Sequence, residues 1–282
     1  MIDTIKNQLE KMNINYDQII NLRSKDRVHL YNIQSSNKRF VLKYFENIEF
    51  RREIKNYLIL QDLDVLTIPL IAYTDEAILM EDISFSDDMR LAVKEDMDNP
   101  NICASLGKWY RNLHDKGKEY IKLNGDEIYM ETDCITYENI QMIKQKTNTA
   151  DNFVWKVIEE KLDYLKELID KTEKTLTYND FYYTNMAVSK EHGAFMFDYN
   201  LLGKGYVASD IKNVTLQLGE EAKKAFLESY GKCDEKEILM HEVAGSLVGL
   251  CFACQRETFP EWGYEELESI NNGTLMKNIN KL

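Results

Sequence analysis

Three residues spaced along one short stretch have the types needed for phosphate chemistry. They are Asp180, Asn185 and Asp198, carried by TLTYNDFYYTNMAV and then GAFMFDYN. All three fall on loops that bracket short apolar runs, expected as strands at Leu176–Tyr178, Met186–Val188 and Ala194–Phe197. Buried strands hold loop side chains in place while leaving them open to solvent. An Asp, an Asn five residues on and an Asp thirteen beyond that offer one base and two oxygen ligands for a hard cation such as Mg2+. That ion takes few protein oxygens and fills its octahedron with water and phosphate. Far upstream, RFVLKYF sets Lys43 on a strand among apolar neighbours, and Glu53 on the next helical segment is a carboxylate able to hold its ammonium. Taken singly, the lysine is an ordinary strand cation and the Asp and Asn residues are ordinary turn formers. Together the five make a set that positions a phosphoryl group and offsets its charge.

The elements that must position this set come in two blocks. Residues 1–83 read as strand-rich: a short run at Gln18–Leu22, then Val28–Gln34, a turn at Ser35–Ser36–Asn37, and Arg39–Phe45, which is a hairpin pattern. Apolar residues at helical spacing predict a helix over Glu49–Leu63, and two further strands follow at Thr67–Tyr73 and Ala77–Ile83. Residues 84–282 read as mainly helical. Ser84–Asn99 is polar and irregular, Ile102–His114 and Phe153–Asp170 are amphipathic helices, and the three short strands come next. Helices then resume at Glu220–Tyr230, Glu235–Cys254 and Tyr264–Ile279. The expected domains are therefore 1–83 and 84–282.

Composition narrows the class. The chain has 282 residues, 44% hydrophobic and 29% charged, as in folded soluble proteins. The longest nearly apolar stretch, Val243–Cys254, reads as a buried helix rather than a membrane span, and the mixed-charge start does not read as a signal peptide. The net charge of −13 repels nucleic acid and anionic lipid, so neither is an expected partner. Residues 1–83 carry 11 bases and 13 acids, against 24 and 35 in residues 84–282, so a ligand of the second block is expected to be cationic. Five cysteines, an odd number, fit reduced thiols in the cytoplasm.

With these residues in view, the chain resembles the aminoglycoside phosphotransferase and choline kinase superfamily, small-molecule relatives of the protein kinases, over nearly its whole length. YNDFYYTN is similar to the family's H-x-D-x-x-x-x-N pattern, RREIKNYLIL to its R-E-x-x-x-x-x-x-L helix, and ILMEDI to the hinge that meets adenine. LGKWYRNLHDKG resembles the Leu-His segment at the end of the first large-lobe helix, at His114, and Asp210 in YVASDIKNV matches the Asp that supports the metal loop. The resemblance implies an α+β, bilobal, protein-kinase-like fold with a small β-rich N-lobe carrying one helix and a larger helical C-lobe. It implies ATP or GTP with Mg2+ as cofactors. Asp180 would be the catalytic base, and Asn185 and Asp198 would hold the metal. Lys43 and Glu53 would serve the phosphates, and the base would sit among Val41, Met80, Glu81, Ile83, Met186 and Phe197.

Two departures from the pattern stand out: Tyr178 replaces the family's His, and the segment LRSKDRVH between the first two strands has no glycine. They favour the alternative of a non-catalytic relative of the spore-coat type, whereas the complete Asp180, Asn185, Asp198 and Lys43 set favours an enzyme. The expected acceptor is a small cation, first an aminoglycoside-like sugar, with the antibiotic resistance that implies, and otherwise choline or ethanolamine. Glu257, Glu261, Trp262 and Glu265 in QRETFPEWGYEEL lie where relatives bind acceptors, although an acidic start to a helix after Pro260 is the simpler explanation of the same residues. A monomer or homodimer is expected. Cys251 and Cys254 form a C-x-x-C without a second pair, so neither redox chemistry nor zinc is expected there.

Overall fold

The computed structural model describes residues 1–36 and 38–282, with Glu127 described by its backbone alone. Asn37, the end of the expected Ser35–Ser36–Asn37 turn, lies outside the described residues. In chain order the elements are α1 (Ile2–Lys11), β1 (Gln18–Lys25), β2 (Val28–Ser35), β3 (Lys38–Phe45), α2 (Arg52–Asp62), β4 (Leu70–Tyr73) and β5 (Ala77–Glu81). Then follow β6 (Met89–Leu91), α3 (Pro100–Asn124), α4 (Tyr137–Lys146), α5 (Val154–Lys171), β7 (Thr175–Thr177), β8 (Met186–Ser189), β9 (Gly193–Met196) and β10 (Gly203–Gly205). The chain closes with α6 (Val207–Thr215), α7 (Glu220–Tyr230), α8 (Glu235–Gln255), α9 (Glu261–Asn271) and α10 (Thr274–Ile279). This is a β-sheet lobe followed by a mainly helical one.

Two compact units emerge, and they do not follow chain order. One comprises Met1–Leu113, Tyr178–Leu202 and Asn213–Gly231; the other comprises His114–Thr177, Gly203–Lys212 and Lys232–Leu282. In the first, β1 to β5 form an antiparallel sheet in the order β1-β2-β3-β5-β4, and β6, β8 and β9 form a second sheet. Alternation along β3 decides what each sheet face does. Leu42 and Tyr44 join Tyr31, Ile33, Ala77 and Leu79 beneath Ile5 and Leu9 of α1. Val41 and Lys43 consequently point to the opposite face, where the register sets them against Met80 and Ile78. In α2 the buried residues Glu53, Asn56, Tyr57 and Leu60 recur at three- and four-residue spacing, which puts them on one stripe.

The second unit is built around α8. Met240, Val243, Ala244, Leu247, Leu250, Cys251 and Cys254 are buried against Ile140, Trp155, Ile158, Leu162, Ile270 and Leu275. At 21 residues α8 is long and apolar enough to cross a membrane, but 61% of its apolar window is buried within the protein. Its 12-residue apolar stretch, Val243–Cys254, is thus the C-terminal part of a longer core helix.

Several elements differ from the sequence expectation. α1 was not expected, because its ten residues are polar apart from the face carrying Ile5 and Leu9. The segment before Ala150 contains α4, capped by the Thr136 hydroxyl, which accepts from the Asn139 N–H. The first large-lobe helix runs on past His114 to Asn124. The last expected helix is two, α9 and α10, separated at Gly273, whose φ of +77° is left-handed.

Candidate functional site

All the expected nucleotide, metal and catalytic residues fall within the first unit. At its centre is a buried ammonium. Lys43 Nζ donates to Glu53 Oε2 at 2.6 Å and Oε1 at 2.8 Å, and to Asp198 Oδ1 at 2.9 Å. Lys43 is 8% exposed and Glu53 1%. Burial alone lowers the lysine's affinity for its proton, but the two carboxylates outweigh it and hold the group above its ordinary value. Burial pushes the Glu53 carboxyl up to about 7, against the pull of the Lys43 charge. Such a pair costs desolvation and is held by geometry, not by net Coulomb gain.

Asp198 sits at φ +65°, in the left-handed region. Aspartate tolerates that conformation better than most residues, but it still needs support from its surroundings. The chain around it is held carbonyl by carbonyl. The Tyr199 hydroxyl donates to Met196 O and the Tyr178 hydroxyl to Phe197 O. Asn56 Nδ2 donates to Tyr199 O at 2.7 Å and to Leu202 O at 3.4 Å, and Asn179 Nδ2 to Leu201 O at 3.0 Å. The Phe197 N–H donates to Asn185 O at 2.9 Å, tying one expected metal ligand to the residue before the other, Asp198.

Asp180 and Asn185 are also joined directly, Asn185 Nδ2 donating to Asp180 Oδ2 at 3.1 Å. With its amide nitrogen so used, Asn185 has its amide oxygen for a ligand, and Asp198 has its second carboxylate oxygen. An amide oxygen and a carboxylate oxygen are hard donors of the kind Mg2+ takes, so the residues fit that ion. No cluster of three or more His, Cys, Asp or Glu suited to a metal occurs among the described residues.

Both departures from the family pattern acquire a structural meaning. Tyr178 is fully buried, its ring meets Tyr199 edge-on at 6.0 Å, and its hydroxyl holds the Phe197 carbonyl. The glycine-free segment extends β1 and opens β2, turning between them at two residues, Asp26 and Arg27, both left-handed at φ +53° and +60°. Of the base-site residues, Met80, Ile83 and Met186 are buried, while Val41, Glu81 and Phe197 are half-buried.

The remaining candidates lie in the second unit. Glu257 is exposed ahead of α9, and Glu261, Trp262 and Glu265 are exposed on it. The Arg256 guanidinium lies over the Trp262 ring at 5.7 Å, so that ring already meets a cation of its own chain. His114 and Asp210 are both buried and joined at 3.0 Å between Nε2 and Oδ2. Asn56, Asn179 and Tyr199 were not singled out from sequence. Asn56 had a signal, since it lies three residues after Glu53 and so on the same helix face.

Comparison with known proteins agrees with this fold. No family model matches the chain, and no curated protein matches it by sequence. Solved structures do match. Choline kinase LicA from Streptococcus pneumoniae superposes with a TM-score of 0.66 at 14% identity, covering 100% of this chain and 99% of that one. The ADP-bound aminoglycoside phosphotransferase APH(2'')-Ib gives 0.63 at 15% identity, covering 100% and 96%. An ethanolamine kinase from Plasmodium vivax gives 0.62 at 14% identity, covering 93% and 84%. The chain has the kinase-like fold of these small-molecule phosphotransferases.

Proposed function

We propose that this protein is a Mg2+-dependent small-molecule kinase that transfers the γ-phosphate of ATP or GTP to a hydroxyl of a small cationic acceptor. The observation that carries this reading is the Lys43 ammonium, buried on a strand and shared between Glu53 and Asp198. A structural ion pair has no need of a second carboxylate held in a left-handed turn. A phosphate-binding lysine beside a metal ligand has that need. In this reading residues 1–83 hold the nucleotide and 84–282 carry the catalytic loop, metal ligands and acceptor helices.

Lys43, oriented by Glu53, meets the α- and β-phosphates. Asn185 and Asp198 are the residues that would hold Mg2+, which supplies charge neutralisation on the β- and γ-phosphate oxygens. Asp180 orients the acceptor hydroxyl and takes its proton as the oxygen–phosphorus bond forms and the bond to the departing nucleoside diphosphate breaks. Positioning and charge compensation supply most of the rate in such transfers. The acidic composition of residues 84–282 favours a cationic acceptor, an aminoglycoside-like sugar first and choline or ethanolamine second. The burial of α8 supports a core helix rather than a membrane span, and a cytoplasmic protein, monomeric or homodimeric, completes this reading.

The test is nucleotide consumption with Mg2+ against a panel of aminoglycosides, choline, ethanolamine and small hydroxylated metabolites. The expected result is stimulation by a cationic acceptor that is lost in Asp180→Asn, with turnover down roughly 10²–10⁴-fold. Absence of both turnover and nucleotide binding would establish the non-catalytic alternative.

A further inference from the structure

Asp82, between Glu81 and Ile83, is a buried carboxylate that makes no ion pair among the described residues. Three donors converge on it. Asn32 Nδ2 on β2 donates at 2.6 Å, the Ser84 hydroxyl at 2.5 Å and the Ser84 N–H at 3.1 Å. Asn32 is itself buried and accepts from Gln34 Nε2 at 3.3 Å. The flanking backbone is fixed as well. The Asp82 N–H donates to Arg39 O at 3.2 Å and the Glu81 N–H to Pro69 O at 3.1 Å. The Arg39 guanidinium covers the Phe85 ring at 3.5 Å.

A buried carboxylate met only by neutral donors is a costly choice for a strand end, where an apolar residue would pack without penalty. What it achieves here is directional. Three fixed donors around one carboxyl group define the path of the chain from Glu81 to Ser84, and Asn32 refers that path to the middle of the sheet. Both N–H groups at 81 and 82 are spent inside the protein. A ligand edge lying along this segment therefore meets the backbone from the Glu81 carbonyl to the Ile83 N–H, the Asp82 and Ile83 carbonyls already accepting from the Phe85 N–H at 3.0 Å and the Ser86 N–H at 3.3 Å.

We infer that Asp82 is a positioning residue for the nucleotide base, acting through Asn32 and Ser84 to set the Glu81–Ile83 backbone. This rests on the nucleotide-binding reading above. Base and phosphates are then held by separate groups. The Asp82–Asn32 contact should govern affinity for the nucleoside end and leave the Lys43 end untouched.

The pair permits an exchange test. Asn32→Asp sets two carboxylates against each other at hydrogen-bond distance. The double variant Asn32→Asp with Asp82→Asn restores one donor and one acceptor across the contact and keeps an acceptor for Ser84. Affinities for AMP and for Mg2+–tripolyphosphate are measured by calorimetry on each folded variant, with thermal unfolding alongside. The expected result is an AMP affinity about tenfold weaker in Asn32→Asp, the size of a lost buried hydrogen bond. Tripolyphosphate affinity should be unchanged, and AMP binding should recover in the double variant. Parallel loss of both ligands, or an AMP affinity equal to that of the unmodified protein, would overturn the role of Asp82. A wild-type protein that binds neither ligand would overturn the nucleotide reading itself, and the two failures are distinct.

Discussion

The hydroxyl of Tyr178 donates its hydrogen bond to the backbone carbonyl of Phe197, the residue immediately before Asp198. A residue two positions ahead of Asp180, the expected catalytic base, thereby holds the loop that carries the expected metal ligand. A tyrosine in place of histidine keeps a donor at this point, so the substitution does not by itself mark an inactive protein. Tyr178→Phe removes the donor and leaves a part-buried carbonyl without this partner. It should cost about 1–3 kcal/mol of stability, read from urea unfolding, and weaken Mg2+-dependent nucleotide binding more than metal-free binding. Equal effects on both would mean that the tyrosine serves the core alone.

The Lys43–Glu53–Asp198 cluster predicts an asymmetric response to substitution. Lys43→Met leaves two carboxylates together with Glu53 buried, and should destabilise by about 3–5 kcal/mol at neutral pH. The Glu53 carboxyl, already raised by burial, loses the charge that pulls it down. With its folded value above its unfolded one, stability falls as pH rises from the ordinary carboxylate range. The Lys43→Met defect should therefore shrink on acidification toward pH 5 and be relieved by a second change, Glu53→Gln. Urea midpoints at pH 5 and pH 8 provide the check.

Asp198→Ala should abolish the Mg2+ dependence of nucleotide binding while removing a left-handed aspartate whose φ is +65°. Binding titrations with and without Mg2+ measure this. Affinity that still rises with Mg2+ in the variant would assign the ion to other ligands.

His241 of α8 provides a pH signature independent of any ligand. Burial, helped by the nearby Lys212 charge, pushes the imidazole down to about 3. The folded state then refuses the proton that the unfolded chain takes up below about 6.5, so stability present above that value is lost as pH falls. Between pH 6.5 and 4.5 the loss attributable to this group is about 2–3 kcal/mol. Denaturation of His241→Gln across that range should show a shallower decline than the parent protein, whatever its absolute stability.

The β1–β2 turn places Arg27 at φ +60°, a conformation that glycine adopts at no steric cost. The Arg27 side chain is exposed and its ion pair with Glu46, 3.3 Å, contributes little. Arg27→Gly should raise stability by roughly 0.5–1 kcal/mol, measured by chemical denaturation, by relieving the left-handed strain.

Alternation in VHLYNIQ and RFVLKYF was enough to predict the β2–β3 hairpin and to set Lys43 on a strand, because a period of two is a local property of the chain. The spacing of Asp180, Asn185 and Asp198 was equally legible, since short apolar strands leave them on the intervening loops. Elements whose stability comes from distant packing were less visible. α1 depends on a sheet face completed by Leu42 and Leu79, and α4 packs against α8, about a hundred residues away.

Legible along the chain were the residue types at chemically meaningful spacing, the strand and helix periods that carry them, and the acidic balance of the larger segment. That Lys43 has two carboxylates and not one, that Tyr178 serves the carbonyl before Asp198, and that Asn32 reaches Asp82 came from the folded chain alone. The reason is physical. Periodicity and turn chemistry act between neighbours along the chain, whereas a buried polar group takes whichever partner the fold brings within about 3 Å, and the 155 residues separating Lys43 from Asp198 leave no local trace.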